Sequence, residues 1–228
     1  MNRYWSRLYN KAYKISKAHS RRGLYEGLGD SIDRYVDAGN DKCLNVGSGG
    51  VIAETIAKAG CQPVSLDIDE DRSPDVVGSV MDMHMFPDNE FDVIFLMEVL
   101  EHVKNPFLAA DEIFRILRPG GILIGSTPFI LGIHDAPYDY YRFTKYGLEH
   151  IFEDFQQEML NSRNDGFAAA SVIPLRRLAL AKNDERKYEV LRFPLVLLAS
   201  WFTRLAALNC PDPTATTGYL FVFRKPKL

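Results

Sequence analysis

Cysteine is scarce: the 228 residues hold three, Cys43, Cys61 and Cys210. The number is odd and no CxxC spacing occurs, so neither a disulfide framework nor a zinc ribbon is expected. The beginning of the chain, Met1-Asn2-Arg3-Tyr4-Trp5, has charge and aromatics where a secretory leader would have an apolar stretch;. The longest apolar run, Phe193 to Phe202, is broken only by Ser200 and is too short to cross a bilayer;. Strong net charge is missing as well, since 27 Lys and Arg face 30 Asp and Glu, and an overall charge of -3 gives no general pull toward nucleic acid;. These absences lead us to expect reduced thiols in a cytoplasmic protein.

What the chain does have is concentrated between Cys43 and Asp69. The apolar run Cys43-Leu44-Asn45-Val46 leads into Gly47-Ser48-Gly49-Gly50. Ile52, Thr55, Ile56 and Ala59 then follow at the period of a helix face, and Gly60 closes the helix;. A second short strand, Val64-Ser65-Leu66, ends on Asp67. In a parallel sheet, ligands sit beyond the carboxyl ends of the strands, so the glycines and Asp67 face one crevice. Glycine admits a ligand close to the backbone, and a carboxylate at the next strand tip can accept both hydroxyls of a ribose. That combination points to a nucleoside, although such a glycine turn also occurs where a helix merely packs tightly on a strand.

The alternation continues. Asp75-Val76-Val77-Gly78 reads as a third strand and Phe91 to Met97 as a fully buried fourth. Asn105 before Pro106 predicts an N-cap and first helical residue, with Phe107, Ala110, Phe114 and Leu117 on one face;. Arg118-Pro119-Gly120-Gly121 is expected to be a turn before a fifth strand, Ile122 to Gly125;. Strands alternating with helices require a parallel sheet covered on both faces. Phe155 to Ser162 and Gly218 to Phe223 are expected to be the sixth and seventh strands.

Two segments lie outside this pattern. Residues 1 to 22 carry seven cations and no acidic residue, with Trp5, Leu8, Ala12 and Ile15 at helical spacing. Such a basic amphipathic helix either rests on an anionic surface or packs its stripe on the domain. Gly23 to Asn40 suggests a bend and a second helix with Ile32, Tyr35 and Val36 inward. We take 1–40 as an N-terminal helical cap and 41–228 as the main domain, with a helical insertion at about 164–216. An insertion of that length is usually functional. Its apolar helix, Pro194 to Asn209, can serve as a lid, a homodimer contact or a peripheral membrane contact at the inner face, with the first two preferred.

LNVGSGG, Asp67 in SLDID, the MDM segment, FDVIFLMEVLEHV and LRPGG together resemble the successive motifs of class I S-adenosylmethionine-dependent methyltransferases of the type 11-like kind, over about Cys43 to Phe155. The resemblance implies a Rossmann-like α/β fold: a seven-stranded, mostly parallel sheet whose last strand is antiparallel. It implies S-adenosyl-L-methionine as cofactor, with Gly47, Ser48 and Gly49 against its methionine part and Asp67, beside Ile68, holding the ribose. Asp82 would take the exocyclic amine of adenine and the Met83 amide a ring nitrogen, while Met97 and Glu98 would border the sulfonium. Asn45 stands where many relatives carry Asp or Glu, which weakens the attraction for a cationic cofactor. The segment PFILGIHDAPYDYYRFTKYGLEHIF is similar to methyltransferases of bacterial polysaccharide and surface-glycan pathways.

The expected function is methyl transfer to a hydroxyl of a sugar, glycan or related small metabolite, and a hydroxyl needs a base. Histidine is the side chain that exchanges protons near neutrality. His134 is the first candidate, with Asp135 to orient or replace it, and otherwise it bonds only its own loop. Glu101 and His102 form a second pair, which either faces the site or braces the loop. Tyr138, Tyr140, Tyr141 and Arg142 make either an acceptor floor with an anion clamp or the packing around a Thr144 cap. No grouping has metal-ligand spacing, so a metal-independent reaction is expected, without nucleic acid as partner. The rival readings are a nicotinamide-dependent oxidoreductase and a binding module without turnover. The G-x-G-x-x-G register, which reaches Ile52 rather than Gly, disfavours the oxidoreductase, and Asn45 alone favours the binding module.

Overall fold

The computed structural model describes residues 23–47, 49–174 and 214–227, together with positions 14, 17, 18, 20, 21, 194, 197, 198, 201–203 and 205. Ser48, nearly all of the basic segment at 1–22 and most of the helical insertion expected at about 164–216, its helix at Pro194 to Asn209 included, therefore lie wholly or largely outside the described residues. The chain divides into two compact units. The larger comprises Leu24–Pro128, Asp135–Asn161 and Tyr219–Leu228; the smaller comprises Met1–Gly23, Phe129–His134 and Ser162–Gly218.

The sheet has seven strands: β1 (Cys43–Val46), β2 (Val64–Asp67), β3 (Val76–Val77), β4 (Phe91–Met97), β5 (Leu117–Pro128), β6 (Gln156–Ser162) and β7 (Gly218–Arg224), in the order β3-β2-β1-β4-β5-β7-β6. β3 through β5 are parallel, with Val46 opposite Leu66 on one side and Leu96 on the other. β7 is antiparallel. Lys225 near its end exchanges backbone bonds with Gly120 and Gly121 near the start of β5 (2.8 and 3.0 Å), whereas Thr217 accepts from Phe129 beyond the far end of β5 (2.9 Å). The chain thus leaves β1 to one side for β2 and β3 and returns to its other side for β4. That reversal opens a crevice at the carboxyl ends of β1 and β4.

Helices α1 (Leu24–Tyr35), α2 (Gly50–Lys58), α3 (Pro106–Ile116) and α4 (Lys145–Ile151) belong to the larger unit, and the short α5 (Gly166–Ala170) to the smaller. Alternation along β4 sends Val93, Phe95 and Met97 to one face, where they pack with Leu24, Leu28 and Ile32 of α1 and Ile56 of α2;. Ile94 and Leu96 point to the opposite face and are equally buried, which is why this strand is one continuous apolar run;. Phe152, Phe155, Phe221 and Phe223 form an aromatic cluster, and Phe114 of α3 meets Phe155 edge-on at 5.0 Å. Gly125 is the position that cluster requires to be small, since a Cβ there would stand 2.1 Å from the Phe221 ring. Cys43 and Cys61 are free thiols in the core, and burial, reinforced by Cys61 nearby, pushes the Cys43 thiol up to about 12.

One sequence expectation is corrected here. Arg118-Pro119-Gly120-Gly121 is not a free turn before β5 but its bulged first stretch, with pairing that jumps from Phe91–Leu117 to Val93–Ile122. Arg118 forks onto Asp92 at 2.9 Å to both oxygens, and Gly120 bonds to Lys225, so distant partners draw these residues into the sheet;.

Candidate functional site

β1 ends in a backbone conformation that only glycine adopts at ease: Gly47 has φ 86°, and a Cβ on it would meet Val99 Cγ2 at 2.5 Å;. Gly49 (φ 105°) and Gly50 (φ 69°) follow, and a Cβ on either would enter open space. α2 begins here without a side-chain cap. Among the described residues no side chain caps its first amides, which suits them to another acceptor;.

Gly47 N–H donates to Leu66 O (2.8 Å), tying the turn to the end of β2, where Asp67 is 7% exposed. Asp67 Oδ1 accepts from the Asp69 amide at 3.0 Å, and Arg72 Nη1 lies 3.6 Å from Oδ2. A carboxylate at this strand tip is of the type that accepts from the two hydroxyls of a ribose. Ile68, beside it, is 74% exposed, an apolar side chain left in water at the cleft wall.

A cleft of about 120 Å³ runs from Gly47, Asp67 and Ile68 to Gly78–Met81, Val99, His102 and Val103. Most of this lining is apolar, which suits a flat ring. Beneath β1, Asn45 is 2% exposed and its Oδ1 has no hydrogen-bond partner among the described residues. An unsatisfied buried carbonyl costs roughly 1–3 kcal/mol, and it sits in the strand that carries the glycine turn.

The adenine assignments are corrected. Asp82 and Met83 do not line the cleft; Val80 and Met81 do. Ser79 and Asp82 bridge across a tight turn, with Asp82 N–H on Ser79 O at 3.0 Å, and this turn presents Val80 and Met81. Asp82 is exposed and bonded to His84 at 2.9 Å, which holds its carboxyl below the usual range. Met83 is fully buried and its amide donates to Glu112 Oε2 at 2.6 Å, leaving no donor for a ring nitrogen. Arg115 completes this strap: it forks onto Glu112 (2.8 and 3.0 Å) and also bonds Asp88 and the Phe86 and Met83 carbonyls. The Arg115 hydrogen bonds hold the Glu112 carboxyl below its ordinary value. Periodicity gives no sign that the donor at 83 is consumed by a residue of α3.

Past β4 the groups engage one another. Met97 belongs to the core. Glu98 adopts φ 57° and accepts from Ser126 Oγ at 3.1 Å. Leu100–His102 form a 3-10 turn that buries Glu101 and places His102 in the cleft lining. His102 Nδ1 lies 2.7 Å from the Tyr138 carbonyl. A carbonyl only accepts, so Nδ1 carries a proton, and Nε2 lies 3.7 Å from Glu101 Oε1. The Glu101 carbonyl in turn accepts from the Tyr140 and Tyr141 amides (2.9 and 3.2 Å), which joins the loop at 138–141 to this turn.

Arg142 is not poised as an anion clamp. It forks onto Asp139 at 2.6 and 2.7 Å, and Asp139, with Glu101 and Glu98 adding, raises its pKa further. Thr144 caps α4 by accepting from Gly147 N–H at 3.1 Å. Tyr138, Tyr140 and Tyr141 are exposed. His134 is half-buried and belongs to the smaller unit, whereas Asp135, exposed with φ 51°, belongs to the larger.

Residues 44–125 match the family model described as Methyltransferase domain. Similar curated proteins include the ubiquinone biosynthesis O-methyltransferase of Methylococcus capsulatus, 29% identical over 128 residues (47% of this chain, 54% of the relative). The protein of the same name from Xanthomonas oryzae pv. oryzae is 30% identical over 117 residues (43% and 47%). The chain spans about half the length of the curated relatives it matches. Among solved structures, a SAM dependent methyltransferase from Archaeoglobus fulgidus aligns with a TM-score of 0.56 at 16% identity, covering 93% of this chain and all of that one. The [4+2]-cyclase SpnF aligns with a TM-score of 0.60 at 19% identity, covering 88% and 81%. At such identities these structures speak to the fold, which is the Rossmann-like methyltransferase fold.

Proposed function

We propose that this protein binds S-adenosyl-L-methionine in the cleft at the ends of β1 and β2 and transfers its methyl group to a hydroxyl oxygen of a small acceptor. The observation that carries the reading is the convergence of the Gly47 turn and the Asp67 carboxylate on one apolar cleft. The open space over Gly49 and Gly50 and the uncapped amides of α2 fit the methionine end of the cofactor;. Asp67 would hold the ribose, Ile68, Val80 and Met81 the adenine, and Asn45 Oδ1 offers a buried acceptor to the cofactor's ammonium end. The bound cofactor supplies a methyl already activated on sulfonium, so the protein's share is alignment, exclusion of water and removal of the acceptor proton.

For the proton, His102 suits the role best. The Tyr138 carbonyl accepts from Nδ1–H, so in the neutral ring Nε2 would accept from a hydroxyl, with the Glu101 carboxylate 3.7 Å away to stabilise the imidazolium formed;. His134 and Asp135 remain in the proposal as acceptor-side residues. The acceptor class is a hydroxyl of a sugar, glycan or related small metabolite. A second reading, a phenolic hydroxyl of a ubiquinone-like ring, draws on the names of the curated relatives.

Calorimetry with S-adenosylhomocysteine tests the cofactor site, and a labelled-methyl screen over nucleotide sugars, glycolipids and ubiquinone-like phenols separates the acceptors. Absence of binding by the demethylated cofactor would remove the whole proposal.

A further inference from the structure

The near-neutral charge of the chain hides a division between its units. The smaller unit (residues 1–23, 129–134 and 162–218) holds 15 of the 27 Lys and Arg but only 5 of the 30 Asp and Glu. Its formal net charge is +10, and the remaining 12 basic and 25 acidic residues leave the larger unit at -13. A separation of this size gives one unit an attraction for anionic surfaces that the whole chain lacks.

The same unit exposes apolar side chains in register. Leu198, Trp201 and Phe202 are helical positions exposed by 52%, 55% and 56%, with Leu205 next at 37%. Spacings of three, one and three place them on one helix face. Trp201 and Phe202 meet edge to face at 5.1 Å. Lys14 and Lys17, in the same unit, are exposed. No described helix is long and apolar enough to cross a membrane.

We infer that the smaller unit docks on an anionic lipid bilayer, with the Leu198–Trp201–Phe202 stripe entering the interface and its net positive charge, to which the exposed Lys14 and Lys17 contribute, attracting the headgroups. Three features favour a bilayer over the other occupants. Nucleic acid would use the charge but leave the aliphatic Leu198 and Leu205 in water. A second copy of this unit would bring +10 against +10. An interfacial helix uses both features, since its affinity is the sum of buried apolar area and attraction to anionic lipid. This inference does not depend on the methyl-transfer reading.

The test is flotation of the full chain with phosphatidylglycerol-containing vesicles and with pure phosphatidylcholine vesicles, at low and high salt. Binding to the anionic vesicles that weakens in salt, accompanied by a blue-shifted tryptophan emission, is expected. Trp201→Glu with Phe202→Glu should lower partitioning tenfold or more, and Lys14→Glu with Lys17→Glu about tenfold. S-adenosylhomocysteine binding and the circular dichroism spectrum should stay unchanged in both, which separates failure to dock from failure to fold and from failure of the cofactor site. Three outcomes would overturn the inference: equal binding to both vesicle types, no binding to either, or capture by RNA at salt that abolishes vesicle binding. A halving of the mass in solution on Trp201→Glu would overturn it too, in favour of a homodimer.

Discussion

The two sides of the cleft are built on opposite terms. On the β1–β2 side, groups remain open to a ligand: among the described residues Asn45 Oδ1 has no partner and α2 has no side-chain cap, and Asp67 stands on the cleft lining. On the side that follows β4, Glu98, His102, Asp139 and Arg142 are bonded to Ser126, the Tyr138 carbonyl and each other. A surface with unspent hydrogen-bonding capacity recognises a ligand. A network whose members hold one another fixes geometry instead, and substitutions within it should first be felt as lost stability or lost rate.

Four measurements can break that division. Arg142→Ala leaves the buried Asp139 carboxylate without its fork, and a loss of about 3 kcal/mol in urea unfolding is expected; an unchanged midpoint would mean that the network does not brace this side. His102→Ala should slow turnover about a hundredfold while S-adenosylhomocysteine binding stays the same. His102→Asn, which keeps a donor for the Tyr138 carbonyl at the place of Nδ1 but cannot take the acceptor proton, should be as slow, and recovery of rate in it would assign His102 to positioning. Asp67→Ala belongs to the other side: about 2 kcal/mol of cofactor affinity should go, with little change in melting temperature.

Glu112→Gln tests the wall between them and should have the smallest effect. The Glu112 carboxyl is depressed in the folded protein, chiefly by Arg115, so the unfolded chain takes up the proton first as pH falls. Its stabilisation is therefore complete above the ordinary carboxylate range and disappears as the pH drops through the folded value. The variant should lose about 1 kcal/mol at neutral pH and show a flatter acid limb, measured as urea midpoints between pH 7 and pH 3.

The same contrast explains what could be read from the residues. β1, its glycine turn and Asp67 are local: a short apolar run, a backbone only glycine tolerates and a strand tip twenty residues on. β4 was equally legible, as was α3, where Asn105 accepts from the Phe107 and Leu108 amides and Pro106 opens the helix. What escaped depends on partners far along the chain. The Met83 amide is taken by Glu112, His102 is oriented by a carbonyl at 138, and the stretch after Leu117 is paired by Lys225. No periodicity or spacing reports such bonds, so Val80 and Met81 could not be told from Asp82 and Met83. Arg142 illustrates the other limit: a guanidinium beside tyrosines suggests an anion site, and only its fork onto Asp139 shows the charge already committed.

Arg115 reaches the loop between β3 and β4 at Met83, Phe86 and Asp88, and so anchors that loop to α3 before any nucleoside arrives. A guest entering there finds its berth already stiff. For a nucleoside bound as proposed, little ordering entropy would remain to be surrendered on arrival, and exchange of product for reagent would be a matter of diffusion rather than of refolding the doorway. Exchange of the Met83 and Phe86 amides, bonded to Glu112 and to the Met83 carbonyl, should accordingly be slow, and equally slow, whether the berth is empty or filled.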